Sequence, residues 1–219
     1  MKVVIAGGTG SLGQRVATAL AERGDDIVIL TRHPRSEIAH RQVEWDGRNV
    51  GEWATELDGA VLLNLAGELV DRRPTTRNIE LLRQSRVGPT RALVAAAAQG
   101  TVPALWLQMS TLAIYGDAGH GVIGEGHPPA DGPPQMAGVA KPWEEAAENA
   151  TAQRFAILRT GIVLDRRTPV FDRLTKLTRF GLGGRISTGE QWISWIHVDD
   201  FLGAVRFVID QPSVDGIIM

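Results

Sequence analysis

At the N-terminus, Gly7-Gly8-Thr9-Gly10-Ser11-Leu12-Gly13 fits two glycine spacings at once. Gly8, Gly10 and Gly13 satisfy G-x-G-x-x-G, while Gly7, Gly10 and Gly13 satisfy G-x-x-G-x-x-G. Positions without side chains let the chain turn sharply, let its amides approach a pyrophosphate, and let the next helix pack on the preceding strand. A second determinant is Arg32, in Thr31-Arg32-His33, about 20 residues after the glycines. An acid at that place would bind the ribose 2′-hydroxyl of NAD, whereas the planar, permanently charged guanidinium suits the 2′-phosphate of NADP. The sequence therefore favours NADP(H). The plainer alternatives are a merely tight turn and a solvated loop arginine.

These residues need a particular set of elements to position them, and the sequence supplies them in order. Lys2–Ala6 is a short apolar, β-branched run of the kind buried on both faces of a parallel sheet. A helix over Ser11–Glu22 follows, with Leu12, Val16, Ala19 and Leu20 on one face, then a Gly24 stop and a strand over Ile27–Leu30. The helix directs its positive end at the phosphate site. Further strands are predicted over Gln42–Trp45, Gly59–Asn64, Pro103–Met109 and Phe155–Leu158. Helices are predicted over Thr76–Gln99, Trp143–Ala152, Val170–Phe180 and Phe201–Ile209. The alternation gives an α/β class, a Rossmann-type doubly wound parallel sheet with a small C-terminal substrate-pocket region.

At the carboxyl ends of those strands stand the other candidates. Asp46 closes the third strand at an edge that commonly faces adenine, and its neighbour Trp45 reads as core. Asn64-Leu65-Ala66-Gly67 supplies small residues for close approach of backbone to a ligand, and is followed by the basic loop Asp71-Arg72-Arg73-Pro74. Ser110-Thr111 and Tyr115-Gly116 follow the fifth strand, before a Gly, Pro, Asp and His-rich loop over 117–134.

Whole-chain properties narrow the function classes. A net charge of −2 over 219 residues is no polyanion-binding signature, so nucleic acid is not expected as a partner. There are no cysteines, hence no disulfide and no thiol nucleophile. The five histidines are scattered without ligand spacing, so no metal site is expected. No apolar run approaches the length of a membrane span, which leaves a cytoplasmic protein with no membrane partner as the default expectation.

Taken together, the glycine turn, Asn64-Leu65-Ala66-Gly67, Ser110-Thr111 with Tyr115-Gly116, Leu158-Arg159-Thr160-Gly161 and His197-Val198-Asp199-Asp200 resemble an extended short-chain dehydrogenase/reductase. Trp45-Asp46, Ser85-Arg86, Trp143-Glu144 and the segment 181–197 (GLGGRISTGEQWISWIH) are similar to its atypical NADP-binding branch, the nucleoside-diphosphate-sugar epimerase, cell-division-inhibitor-like proteins. The resemblance covers nearly the whole chain. It implies a dinucleotide-binding part over 1–164 and a substrate-pocket segment over 165–219 within one compact unit. It implies cofactor contacts from Gly7, Thr9, Gly10, Ser11, Leu12, Gly13, Thr31, Arg32, Asp46, Leu65, Ala66, Gly67, Arg86, Met109, Thr160 and Gly161. Relatives usually continue into a further C-terminal domain, so a chain ending at Gly216–Met219 reads as a short or truncated member.

The family's proton chemistry needs a tyrosine with a lysine four residues later, because a phenol with pKa near 10 is a poor base unless a cation stands beside it. Tyr115 is the one tyrosine, and Gly119 lies four residues beyond it. By resemblance the pair falls at Met136 and Ala140, neither of which transfers a proton. Thr111 and Ser110 remain as the catalytic candidates, orienting the reacting oxygen. Tyr115 reads as structural, Lys141 as a surface lysine at a helix start, and Asp199 or Asp200 as the cap of the last helix, with His197 a hydrogen-bonded core histidine. Three functions fit: an NADP(H)-dependent oxidoreductase or epimerase-like enzyme for a small hydroxyl or carbonyl compound, sugar-linked or free, a non-catalytic NADP(H) sensor or scaffold, and an NADPH-dependent flavin or quinone reductase.

Overall fold

A computed structural model describes residues 1–70, 73–166, 168–185 and 188–219. The expected basic loop therefore lies partly outside the described residues, at Asp71 and Arg72. The elements run β1 (Lys2–Ala6), α1 (Ser11–Ala21), β2 (Asp26–Thr31), β3 (Arg41–Glu44), β4 (Val61–Asn64), α2 (Thr76–Ala98) and β5 (Leu105–Thr111). They continue as α3 (Ala137–Glu145), β6 (Phe155–Thr160), β7 (Ile162–Leu164), α4 (Pro169–Arg179), β8 (Trp195–His197), α5 (Val198–Asp210) and β9 (Gly216–Ile218). Seven strands form one parallel sheet in the order β3-β2-β1-β4-β5-β6-β9, and β7 pairs with β8 in a small parallel sheet of its own. This is the doubly wound Rossmann-type arrangement.

The apolar strands are buried on both faces, and period-two geometry decides which layer each residue joins. Val3 and Ile5 pack with Leu20, Ile29, Leu63, Leu107 and Phe201 on the side of α1 and α5. Val4 and Ala6 pack with Val28, Leu30, Leu62, Leu93 and Trp106 on the side of α2. Trp45 is buried there and meets the Trp53 ring edge-on, with centroids 5.2 Å apart. Ala6 pairs in register with Leu30 of β2 and with Asn64 of β4, so three strands end side by side. Between β1 and β4 the strand order reverses, opening the crevice in which such sheets bind ligands.

Two local expectations are corrected. Instead of running over Trp143–Ala152, the helix after the 117–134 loop is α3, Ala137–Glu145, with Pro142 inside it. Burial of Ala137, Val139, Ala140 and Trp143 along one face outweighs the single hydrogen bond that proline removes. At α5 the cap is His197 itself, whose Nδ1 accepts from the Asp199 amide at 3.3 Å. Asp199 and Asp200 lie in the first turn, where their charge faces the positive helix end, and the His197 side chain is half exposed instead of in the core. The C-terminal part also leaves Leu174, Leu177, Phe180, Leu182, Trp192, Ile193 and Trp195 exposed.

Candidate functional site

The glycine turn is packed backbone against backbone. Gly7 has φ +82°, in the left-handed region, and a Cβ there would lie 2.7 Å from the Leu65 carbonyl oxygen and 2.9 Å from the Ala66 nitrogen. A Cβ at Gly13 would lie 2.6 Å from the Gly7 oxygen and from the Gly8 Cα. Leu65 donates its amide to the Ala6 oxygen at 2.9 Å, tying the two strand ends together. Gly10 is exposed, and no side chain caps α1 and no acid occupies its first turn. Its leading amides and dipole thus face the crevice uncompensated by side chains, the arrangement that receives a phosphate. Around this cradle Ser11 is exposed, Thr9 is half-buried, and Leu12 packs on the core beneath α1. The residues present fit a dinucleotide pyrophosphate.

At the tip of β2, Thr31 is buried and accepts from the His33 amide at 3.3 Å. Arg32 is exposed, with its Nη2 3.7 Å from Glu68 Oε1. Glu68 had no role in the sequence reading; the signal available was its place directly after Asn64-Leu65-Ala66-Gly67. Its amide donates to Ser85 Oγ and its carbonyl accepts from Arg86 Nη2, both at 3.0 Å. Arg86 also donates to the Leu82 carbonyl at 3.1 Å and lies over the Trp143 ring, 5.2 Å from its centre. Burial lowers its pKa to about 10, opposed by the charge of Glu68. Arg86 thus holds the Gly67-Glu68 loop, and a Cβ on Gly67 would come within 3.0 Å of its Cζ. Asp46 is also engaged within the protein. It accepts from the Arg48 and Asn49 amides at 2.8 Å and from Asn49 Nδ2 at 2.6 Å, closing its own turn.

Ser110 and Thr111, adjacent on β5, have opposite situations because alternate residues face opposite sides of the sheet. Ser110 is buried and donates to Glu144 Oε1. Glu144 in turn receives Arg159 through Nε to Oε1 at 2.9 Å and Nη2 to Oε2 at 2.6 Å. Arg159 Nη1 donates to the Tyr115 hydroxyl at 2.5 Å, and that hydroxyl donates to the Glu125 carbonyl at 3.3 Å. Sequence reasoning named these side chains separately and missed the cluster, since no local pattern brings β5, β6, α3 and the Leu112–Tyr115 turn together. Thr111 is half-buried and accepts from the Ala113 amide at 3.2 Å. That bond uses a lone pair and leaves the hydroxyl proton to donate elsewhere.

Met136 stands at the N-terminus of α3, 45% exposed, whereas Ala140 is fully enclosed against Ile114 and Tyr115. Lys141 reaches Asp131 at 3.3 Å on the surface. Met109 is buried among Leu107 and Leu158 in the core. Gly161, next to Thr160 at the end of β6, meets a different part of the chain from the glycine turn. A Cβ there would be 2.6 Å from the Ser194 carbonyl carbon, where β7 and β8 come together. Beneath the crevice, buried Asn64 donates to Thr90 Oγ1 at 2.8 Å and Gln108 Oε1 at 2.9 Å, and its Oδ1 accepts from the Ala66 amide at 3.3 Å. This fixes the loop that meets the glycine turn. Among the described residues no group of three or more acids and histidines could hold a metal ion, and no helix is long and apolar enough to cross a membrane.

A sequence profile of the NAD dependent epimerase/dehydratase family matches residues 3–141. The chain belongs to that family. Among its epimerase-family relatives, a protein of Mycobacterium leprae is 32% identical over 219 residues, spanning 98% of this chain and 69% of the relative. The solved human epimerase family protein SDR39U1 with NADPH is 27% identical and superimposes with a TM-score of 0.86, covering all of this chain and 73% of the human one. A nucleoside-diphosphate sugar epimerase from Corynebacterium glutamicum is 29% identical with a TM-score of 0.83, covering all of this chain and 45% of that protein. This epimerase-family chain is therefore of the SDR39U1-like kind, an atypical extended short-chain dehydrogenase/reductase.

Proposed function

We infer that this epimerase-family protein binds NADP(H) across the glycine turn and is an oxidoreductase or epimerase-like enzyme for a small hydroxyl or carbonyl compound, sugar-linked or free. The observation that carries this is the cradle at Gly7, Gly13 and Leu65-Ala66, open at the uncapped end of α1, with Arg32 at the tip of the neighbouring strand. The family profile is described by NAD, and the NADPH of the human relative supports the phosphorylated form together with Arg32.

The Gly10 amide is already bonded to the Gly7 carbonyl at 3.1 Å, so the Ser11 and Leu12 amides would hold the pyrophosphate and Arg32 the 2′-phosphate. When bound, the cofactor supplies hydride transfer. The chain's own part is orientation. The Thr111 hydroxyl would donate a hydrogen bond to the substrate oxygen while the Ala113 amide holds its Oγ1 in place. Ser110 has already committed its proton to Glu144, so it supports the strand end and Thr111 takes the contact with substrate.

A second reading, a non-catalytic NADP(H) sensor, is favoured by Met136 and Ala140 at the places of the family's proton-transfer pair and by the enclosure of Ala140. One experiment separates the two. The purified chain is titrated with NADPH and NADH by fluorescence and thermal shift, then assayed for NADPH oxidation with carbonyl, flavin and quinone acceptors. Turnover with a carbonyl that Thr111→Val reduces supports the enzyme. Turnover with flavin or quinone alone, insensitive to Thr111→Val, supports a flavin or quinone reductase. Tight binding without turnover of any acceptor supports the sensor.

A further inference from the structure

Arg32 and Glu68 approach each other from opposite sides of the glycine turn. Arg32 follows β2 and Glu68 follows β4, the two strands that flank β1, so the pair stands across the mouth of the crevice. Their separation of 3.7 Å is within ion-pair range. The origin of the Glu68 side chain is fixed on both sides, by its amide on Ser85 Oγ and by its carbonyl on Arg86 Nη2. Arg86 is itself pinned over Trp143, and Gly67 packs directly on its guanidinium. The carboxylate is thus carried on a rigid mount and aimed at the one cation to which this site assigns the 2′-phosphate.

We propose that Glu68 sets the choice between NADP(H) and NAD(H) by competing with the 2′-phosphate for Arg32. The inference rests on the nucleotide lying across the glycine turn. A phosphate entering beside Arg32 must displace the carboxylate or share the guanidinium with it, and in either case two anions are brought together. NADH presents a neutral hydroxyl at that point, which the carboxylate accepts as a hydrogen bond. Arg32 alone would make a strongly selective NADP(H) site. Paired with Glu68, it makes a site of moderated selectivity.

The test is binding, read by nucleotide fluorescence and by isothermal titration with NADPH, NADH and 2′,5′-ADP. The proteins are wild type, Glu68→Gln, Glu68→Ala, Arg32→Ala and the Arg32→Ala/Glu68→Gln double variant. Glu68→Gln keeps both main-chain bonds, and the unliganded melting temperature of each variant verifies its fold. Removing the competing charge of a partly exposed pair is expected to tighten NADPH and 2′,5′-ADP by about threefold or more, leaving NADH unchanged or weaker. The gain should shrink in 0.5 M salt, where exposed charges are screened, and in the Arg32→Ala background. An NADPH to NADH ratio that stays within twofold of wild type in both Glu68 variants would overturn the proposal while leaving the nucleotide site intact. Failure of every protein to bind any of the three probes would overturn the nucleotide site and this proposal with it.

Discussion

Arg159 on β6 grips Glu144 on α3 with two parallel hydrogen bonds, of 2.9 and 2.6 Å, at a place where the arginine is 3% exposed. These bonds hold the guanidinium above the ordinary arginine pKa against the opposing effect of burial. The pair fastens α3, which follows Met136 and carries Ala140, to the strand ends beneath the site. Cutting it from one side strands a buried charge. Glu144→Ala should therefore destabilise the protein by about 3–5 kcal/mol. The joint Arg159→Met/Glu144→Leu change should cost less than Glu144→Ala alone, because no charge is left behind. Urea unfolding of the three proteins checks both statements, and a double variant weaker than Glu144→Ala would contradict the assignment.

The cradle predicts different outcomes for two glycines in the same turn. Gly13→Ala places a Cβ 2.6 Å from backbone and should abolish the thermal shift given by NADPH. At Gly10 a Cβ meets only the Gly7 oxygen, at 3.4 Å, and the backbone φ of −73° suits any residue. Gly10→Ala should therefore keep the unliganded melting temperature within a few degrees, for a change of less than about 1 kcal/mol. Equal melting losses in the two variants would show that the turn is not packed in this way.

Arg32 is exposed and its substitution should leave the fold unaffected. Arg32→Ala is expected to weaken NADPH by roughly tenfold or more, the range of a charge-assisted phosphate contact, with NADH changed little. Parallel titrations of the two nucleotides measure this directly. Equal loss of both would remove the 2′-phosphate from Arg32.

Ala140, where the resemblance puts the family lysine, is closed off by packing. Ala140 is 1% exposed against Ile114 and Tyr115, so Ala140→Lys adds volume and a charge where neither fits. A loss of about 2 kcal/mol or more is expected, alone or with Met136→Tyr, and restored turnover is not. Denaturation and an NADPH oxidation assay on both variants decide it.

Asp46 gives the pH dependence of the β3 turn. Hydrogen bonds from the Asn49 and Arg48 amides, with the Asn49 side chain, hold its carboxyl below the usual aspartate value. For a carboxylate depressed in the native state, the stabilisation is present above the unfolded value of about 3.9 and is lost as pH falls through the native value. Carboxyl NMR titration should find Asp46 among the low-titrating aspartates. Asp46→Asn keeps an acceptor oxygen for the turn and should remove this contribution to the acid limb of unfolding.

Local and periodic features can be read from the amino-acid sequence. The β1, glycine turn, α1 and β2 unit was legible because apolar runs, helical spacing and side-chain-free positions are written in neighbouring residues. For the same reason the parallel sheet followed from the alternation of strand and helix, and the absence of a tyrosine and lysine pair from simple inspection. Which side chains meet depends on the folded arrangement. α3 begins at Ala137 because Ala137 is buried and Ala140 packs against the Leu112–Tyr115 turn, a gain invisible in a segment broken by Pro142. Arg86 is turned inward to carry the Gly67-Glu68 loop, and Ser110 is drawn into the cluster of Glu144, Arg159 and Tyr115. Arg32 meets Glu68 because β2 and β4 both flank β1. In each case the partners come from distant parts of the chain, and their charges and hydrogen bonds are fixed by strand order and burial, which no local pattern encodes.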